Sequence, residues 1–340
     1  MYDVTRRRFI QLSGAGGLAL LPGMIRPARA AGGRIALYNG QHRPPVEALV
    51  AAFTKATGIE VAIRHGNSAQ LASQIVEEGA NSPADVFWSE ESPSLVATAR
   101  KGLLAPLLPE TLKQVGAEWS AKDGSWIGAT ARCRVIVYNK SMIEEAALPA
   151  SVLDFAAESW KGKVAFAPNS GAFQQQIMAI AILKGRDTAL AWLKGLRDFG
   201  ETYNSDSAAV EAVEGGDLPI ALSNNYYWYA LAREIGAADM NSAIYNIGHG
   251  DPGTLVTVSG AGVLKSAKNV EAAQSFVAFM VSAEGQQAIV DAIAEYPLRP
   301  GIVSPFPLTP FDKLDPAPVT PDQLGDAEEA LTLLREAGLA

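Results

Sequence analysis

The chain has almost no cysteine. Cys133 is the only one in 340 residues, so an internal disulfide and a cysteine-ligated metal cluster are both excluded. Histidine is nearly as scarce, at His42, His65 and His249. HExxH, GxSxG, P-loop and CxxC patterns are all missing, which removes the hydrolase, nucleotide and redox chemistries those motifs carry. Beyond the first 25 residues no apolar run approaches the roughly 20 residues a membrane-spanning helix needs. Positive charge is also short, with 28 Lys and Arg against 36 Asp and Glu. Such a balance makes a poor partner for nucleic acid or an anionic lipid surface, and suits the attraction of cations.

What is there begins with a targeting segment. "TRRRFIQ" (5–11) carries the paired Arg6 and Arg7 of a twin-arginine signal, followed by an apolar stretch (12–25) and "ARA" (28–30), a small-x-small cleavage site. Residues 1–30 therefore read as a signal peptide removed after Ala30. Gly14, Gly16 and Ala19 match GxGxxA, but no strand precedes them, so a dinucleotide site is rejected. Loss of the leader removes five arginines and Asp3, taking the net charge from −8 to −12. No cysteine is available there for lipid attachment. The expectation is a freely diffusing periplasmic protein with no membrane insertion after cleavage.

The body alternates strands and helices. "GRIALYNG" (33–40), "IEVAIRHG" (59–66) and "ADVFWSEE" (84–91) read as strands, and 44–58 and 68–79 as helices between them. That order builds an α/β layer with a largely parallel sheet, whose ligands sit where strands end. The loops "YNGQHR" and "FWSEES" are thus candidate binding loops, with His42 the one histidine worth following. A second unit starts near Arg132. Its strands are 134–139, 163–168 and 218–225, and its helices 172–185 and 226–236. Strand character returns at 253–265, then a helical stretch (269–293) with a break near Gly285, a proline-rich irregular part (304–323) and a short final helix. The length of 340 residues also suggests two domains.

The most unusual stretch is "SNNYYWYA" (223–230). In a strand, adjacent side chains point to opposite faces and cannot share a ligand. In the first turn of a helix they diverge by about 100° and both can reach one point beyond its end. Asn224 and Asn225 are natural caps for such a start. The helix N-terminus favours negative charge, which suits phenolates. A phenol with a pKa near 10 ionises at neutral pH only beside a strong positive charge, and a trivalent hard cation supplies one. Core packing is the other reading of a tyrosine pair.

Six motifs in order, "LYNGQH" (37–42), "PADVFWSEE" (83–91), "SGAF" (170–173), "NNYYWY" (224–229), "HGDPG" (249–253) and "AEYPLRPGIVSPF" (294–306), closely resemble the periplasmic ferric-ion-binding proteins. These are the soluble components of bacterial iron ABC transporters. The resemblance covers roughly residues 31–338. It implies a bilobal periplasmic binding protein of type II, with two α/β lobes around a hinge and a ligand cleft. The implied lobes are 31–132 plus 257–307 and 133–256 plus 308–340. It also implies a monomer, not an enzyme, that captures Fe3+ and docks on an inner-membrane permease with its ATPase. The implied ligands are His42, Glu90, Tyr226 and Tyr227, whose one carboxylate and two phenolates balance a trivalent ion.

Members of that family often hold a synergistic anion, commonly phosphate. The matching positions here are Ser170, Gly171 and Ala172 at a helix N-terminus, with Asn224 nearby. Two positions depart from the family pattern: Glu91 stands where glutamine is common, and Asp206 where asparagine is expected. Two like charges about 4 Å apart cost on the order of 4 kcal/mol at an effective dielectric near 20. Arg132 and Arg134 offset part of that. The expectation is therefore carbonate, water or Glu91 itself rather than phosphate. Rival readings are a binding protein for a small organic cation such as a polyamine, with cation–π contacts to Trp228 and the tyrosines, and an exported redox enzyme.

Overall fold

A computed structural model describes residues 33–340; the signal segment 1–30 lies outside the described residues. In chain order the elements begin β1 (Arg34–Asn39), α1 (Arg43–Thr57), β2 (Glu60–His65), α2 (Ser68–Glu78), β3 (Val86–Ser89), α3 (Ser92–Arg100), β4 (Leu104–Ala105) and α4 (Pro109–Leu112). Next come β5 (Ile127–Asn139), β6 (Val164–Phe166), α5 (Gly171–Lys184), α6 (Arg186–Phe199), β7 (Glu201–Thr202), α7 (Asp206–Gly215), β8 (Ile220–Asn224) and α8 (Asn225–Ile235). The chain ends with β9 (Ser242–Tyr245), β10 (Val256–Leu264), α9 (Val270–Met280), α10 (Ala283–Ala292), β11 (Tyr296–Pro297) and α11 (Glu328–Ala337).

Local sequence explains the first of these units. Prolines 44 and 45 occupy the opening turn of α1, where a missing N–H costs nothing. Val46, Leu49 and Phe53 then recur at helical spacing on the buried face, and Gly58 closes the helix in the left-handed region. Strand β1 pairs in parallel with β2 and with β3. Strand β10 runs antiparallel between β3 and β5 and completes the first sheet.

The strand that organises the molecule is β5. Its thirteen residues are all buried. From Ile127 to Cys133 it pairs with β10, and from Arg134 to Tyr138 with β8. It therefore belongs to the first sheet at one end and to the second at the other. The second sheet adds β6, β7 and β9. Each sheet has its own core. One cluster joins Leu37, Phe53, Trp88 and Ile127 with Val258, Phe276 and Leu314. Another joins Ile136, Phe166, Phe173 and Trp192 with Leu222 and Leu333. After Leu314 the chain crosses back, so that Ala317, Val319 and Leu324 pack with Ala179 and Leu255.

The structure differs from the sequence reading in three respects. The helical break in 269–293 falls at Val281–Ser282, where the Ser282 hydroxyl caps α10 by accepting the Gly285 N–H; Gly285 lies inside that helix. Segments 92–100, 186–199 and 206–215, to which the sequence analysis assigns no element, form α3, α6 and α7. Helix α6 does show the expected periodicity, burying Ala189, Trp192, Leu193 and Leu196. Strand β5 begins seven residues before Arg134, because its first half lies in the other sheet. Among the described residues no helix is long and apolar enough to cross a membrane.

Candidate metal centre

Each candidate ligand sits just past the end of a strand. After β1 the chain turns at Gly40 and Gln41, and His42 takes the N-cap position of α1. The Gln41 side chain accepts the His42 backbone N–H at 2.8 Å. A Cβ on Gly40 would strike the Ser68 hydroxyl. That hydroxyl instead accepts the Glu90 backbone N–H at 3.0 Å and fixes the turn after β3. Glu91 follows at the N-cap position of α3. On the other side β8 runs directly into α8, so Tyr226 and Tyr227 are the second and third residues of the helix.

These loops bring His42, Glu90, Tyr226 and Tyr227 together. Glu90 Oε1 lies 3.3 Å from His42 Nε2 and accepts the Tyr226 hydroxyl at 2.9 Å. The two tyrosine rings are 4.3 Å apart between centroids, and the His42 ring stands edge-on to both at 5.1 and 5.8 Å. His42 Nε2 is buried without an aligned hydrogen-bond partner. Among the described residues no group of three or more His, Cys, Asp and Glu side chains is placed for a metal. Only with its phenols does this set offer four donors.

The charges are arranged around that set. Burial and the negative charge of Glu90 push both phenols above their ordinary range. Burial opposes ionisation of Glu90, but the close approach and charge of His42 and the Arg132 guanidinium prevail and hold its carboxyl low. His42 is raised: burial works against its charge, and Glu90 outweighs it. Glu91 moves the other way, raised first by burial and then by the neighbouring Glu90 charge.

The positions expected for an anion are also close by. Ser170 takes the N-cap position of α5, but its hydroxyl makes no capping bond, and Gly171 and Ala172 open the helix. The Glu91 carboxyl lies beside Gly171, with Oε1 only 2.7 Å from where a Gly171 Cβ would lie. Arg134 and Asp206 are both buried and pair at 3.0 Å. Arg134 further donates to Gln176 and Asn224, at 3.3 and 3.4 Å. Arg132 is buried 3.8 Å from Glu90 and 5.9 Å from the Tyr226 ring centre, with two guanidinium nitrogens lacking partners.

The asparagine caps expected for α8 are replaced by other bonds. Asn224 holds the N-cap position, yet its side chain accepts from Arg134 and donates to the Tyr226 hydroxyl at 3.4 Å. Asn225 accepts the Cys133 N–H at 3.0 Å and donates to Ala294 O at 2.8 Å. Contacts to the shared strand are available to these amides, and they outcompete the helix's own N–H groups.

Sequence reasoning missed Glu295. It is fully buried, accepts from the Thr130 hydroxyl and from Gln41, and sits 3.7 Å from Arg132 Nε. The residue stood inside the quoted "AEYPLRP" motif. Only the fold reveals that it anchors the arginine under the site. Gln175 was missed as well; it donates to the Ser92 hydroxyl at 3.4 Å across the cleft.

Comparison with known proteins gives this geometry a context. A family model described as bacterial extracellular solute-binding protein matches residues 48–311. A curated relative from Neisseria meningitidis serogroup B, the major ferric iron-binding protein, is 44% identical over 94% of this chain and 98% of its own length. The Fe(3+)-binding periplasmic protein of Serratia marcescens is 36% identical over 97% of this chain and 99% of its own. Among solved structures, iron-bound HitA from Pseudomonas aeruginosa is 51% identical, with a TM-score of 0.88, covering 90% of this chain and 99% of that one. The fold is therefore the bilobal one of periplasmic binding proteins. The chain belongs to the bacterial extracellular solute-binding proteins.

Proposed function

We propose that this protein captures ferric iron in the periplasm and delivers it to an inner-membrane ABC permease. The observation that carries the reading is the single cluster made by Glu90 Oε1, His42 Nε2 and the Tyr226 hydroxyl, with Tyr227 against it. Its donors come from both sides of the cleft. One carboxylate and two phenolates match a trivalent cargo, and neutral imidazole completes the set. The relatives named for ferric binding support the same conclusion.

The chain's own residues suggest how this works. His42 and Glu90 wait on one lobe, and the tyrosines swing in from the other about the shared strand. The ion displaces the hydroxyl proton that Tyr226 shares with Glu90. We assign the lobes as 31–132 plus 257–307 and 133–256 plus 308–340, supported by the change of partner at Cys133–Arg134. Leu308 and Leu314 still lean on the first core, so the last passage is a strap across both lobes. Residues 1–30 act as a twin-arginine export signal, and the mature protein works as a monomer without catalysis, with an ATPase driving the permease.

No phosphate is needed at this site. Glu91 stands against Gly171 at the α5 N-terminus, and Asp206 is taken by Arg134. The Glu91 carboxyl stands in for an external anion. A small organic cation is disfavoured by Arg132, a buried positive charge 3.8 Å from Glu90.

The test is a visible absorption titration of metal-stripped protein with a ferric chelate in phosphate-free buffer. The expected result is a tyrosinate charge-transfer band that saturates at one iron per protein, and that disappears in the Tyr226→Phe, Tyr227→Phe double variant. No band in the wild type would overturn the reading.

A further inference from the structure

His42 has an unusual freedom at its place in the chain. It takes the N-cap position of α1, where a side chain normally accepts the N–H of the second or third helical residue. Those residues are Pro44 and Pro45, which have no N–H to give. The imidazole makes no capping bond and is left to face Glu90 at 3.3 Å. A ring released from capping needs another anchor. The aromatic rings standing edge-on to it, Tyr226 and Tyr227, belong to the other side of the cleft and support it only while the cleft is shut.

Gln41 supplies that anchor. It is buried, and both ends of its amide are used. Oε1 accepts the His42 backbone N–H at 2.8 Å, and Nε2 donates to the two oxygens of Glu295 at 3.5 and 3.4 Å. Asn39 grips the same residue by its backbone, accepting the Gln41 N–H at 3.2 Å and donating to Gln41 O at 2.6 Å. Glu295 does not depend on Gln41 for partners, since Thr130 and Arg132 also serve it. The shorter of the amide's bonds is the one to His42, so its stronger grip is on the turn. The residue before Glu295 holds the opposite side: Ala294 O accepts from Asn225, the first residue of α8, at 2.8 Å. Two adjacent residues thus carry the His42 turn and the start of the tyrosine helix.

We propose that Gln41 is a positioning residue for the metal centre: it ties the His42 turn to Glu295 and so sets the imidazole at a fixed span from the tyrosine helix tied to Ala294. The inference rests on the ferric reading above. Gln41 itself touches no metal. It acts through His42, holding that residue's backbone in place before the tyrosines close in, so that an ion meets His42 and Glu90 as a formed pair. Residues that orient metal ligands in this way typically govern about 10–100-fold in metal affinity.

Gln41→Met keeps the length of the side chain and removes both its acceptor and its donor. Competition with citrate, followed by the tyrosinate band, should show ferric affinity at least about ten-fold weaker than in wild type. In a His42→Ala background the same change should cost little, because a residue that acts through the histidine then has nothing to act on. Equal loss in both backgrounds marks a glutamine that only supports the fold and overturns the inference, as does unchanged affinity of Gln41→Met. Gln41→Asn keeps a buried amide but is one methylene too short to reach both partners, so it should weaken affinity in the same direction with less strain on folding. Crystals of the metal-free proteins give an arm independent of iron. Wild type should show one His42 position beside Glu90, and Gln41→Met a displaced or spread turn; an unmoved turn overturns the inference. Absence of the ferric band in wild type overturns the underlying ferric reading, and the crystal comparison still decides what positions His42.

Discussion

At the scale of single residues, the candidate centre is poised by protons. Both phenols are held in the protonated form by burial and by Glu90, and His42 is held charged to a higher pH than usual by the same carboxylate. Every donor must shed its proton to bind a metal. Iron loading near neutral pH should therefore release at least two protons per ion, read in a weakly buffered titration; fewer would mean that the phenols stay intact. The sign follows directly: affinity falls as pH drops through the raised His42 range and recovers above it. Glu91 gives a second outcome. Wild-type spectra should not respond to phosphate, and Glu91→Gln should respond, because the amide removes the acid from the α5 N-terminus. A phosphate response in the wild type would remove Glu91 from that role. Arg132 gives a third. Arg132→Met strands Glu295 as a buried charge and should cost about 3–5 kcal/mol in denaturant unfolding of the metal-free protein. Adding Glu295→Gln should return much of it, and a double variant as unstable as the single one would refute the pairing. His42 stood out because histidine is rare, and Tyr226 and Tyr227 because they adjoin, whereas Glu90 entered only through the family resemblance. Glu295 stayed hidden, because a buried anchor looks like any other glutamate until the strand beside it is placed.

At the scale of elements, turn residues and periodicity were informative, and competition for side chains was not. Helix α1 announces itself through Pro44, Pro45 and Gly58. Asn224 and Asn225 looked like caps because asparagine usually is one, but two amides beside a buried strand find better partners on β5 and at Ala294. The break before α10 was displaced by the same kind of error: a glycine attracted attention, and the serine cap three residues earlier did the work. Gly285 is there for space. A Cβ would meet the Phe279 carbonyl at the α9–α10 corner. Gly285→Ala should destabilise the protein by about 1–3 kcal/mol through overpacking, seen as a lowered Tm. An unchanged Tm would show that the corner relaxes freely.

At the scale of the whole molecule, the alternation of strands and helices disclosed the α/β class. The sharing of one strand by two sheets stayed hidden, since the sequence reading holds only 134–139 as a strand and the seven residues before it pair in the other sheet. With donors divided between the lobes, ferric loading should draw them together. Small-angle scattering should show a smaller radius of gyration for the ferric form, and equal radii would separate binding from closure. The sheet order has another consequence, for how the chain acquires its shape. Strand β10 lies between β3 and β5, yet it is made more than a hundred residues after either. Until it arrives, the first sheet is two unfinished pieces with open edges, and such edges invite pairing with other chains. A chain stopped before Val256 should therefore aggregate rather than yield a folded first lobe, and refolding of the complete chain should be slow because its central pairing is so distant in sequence.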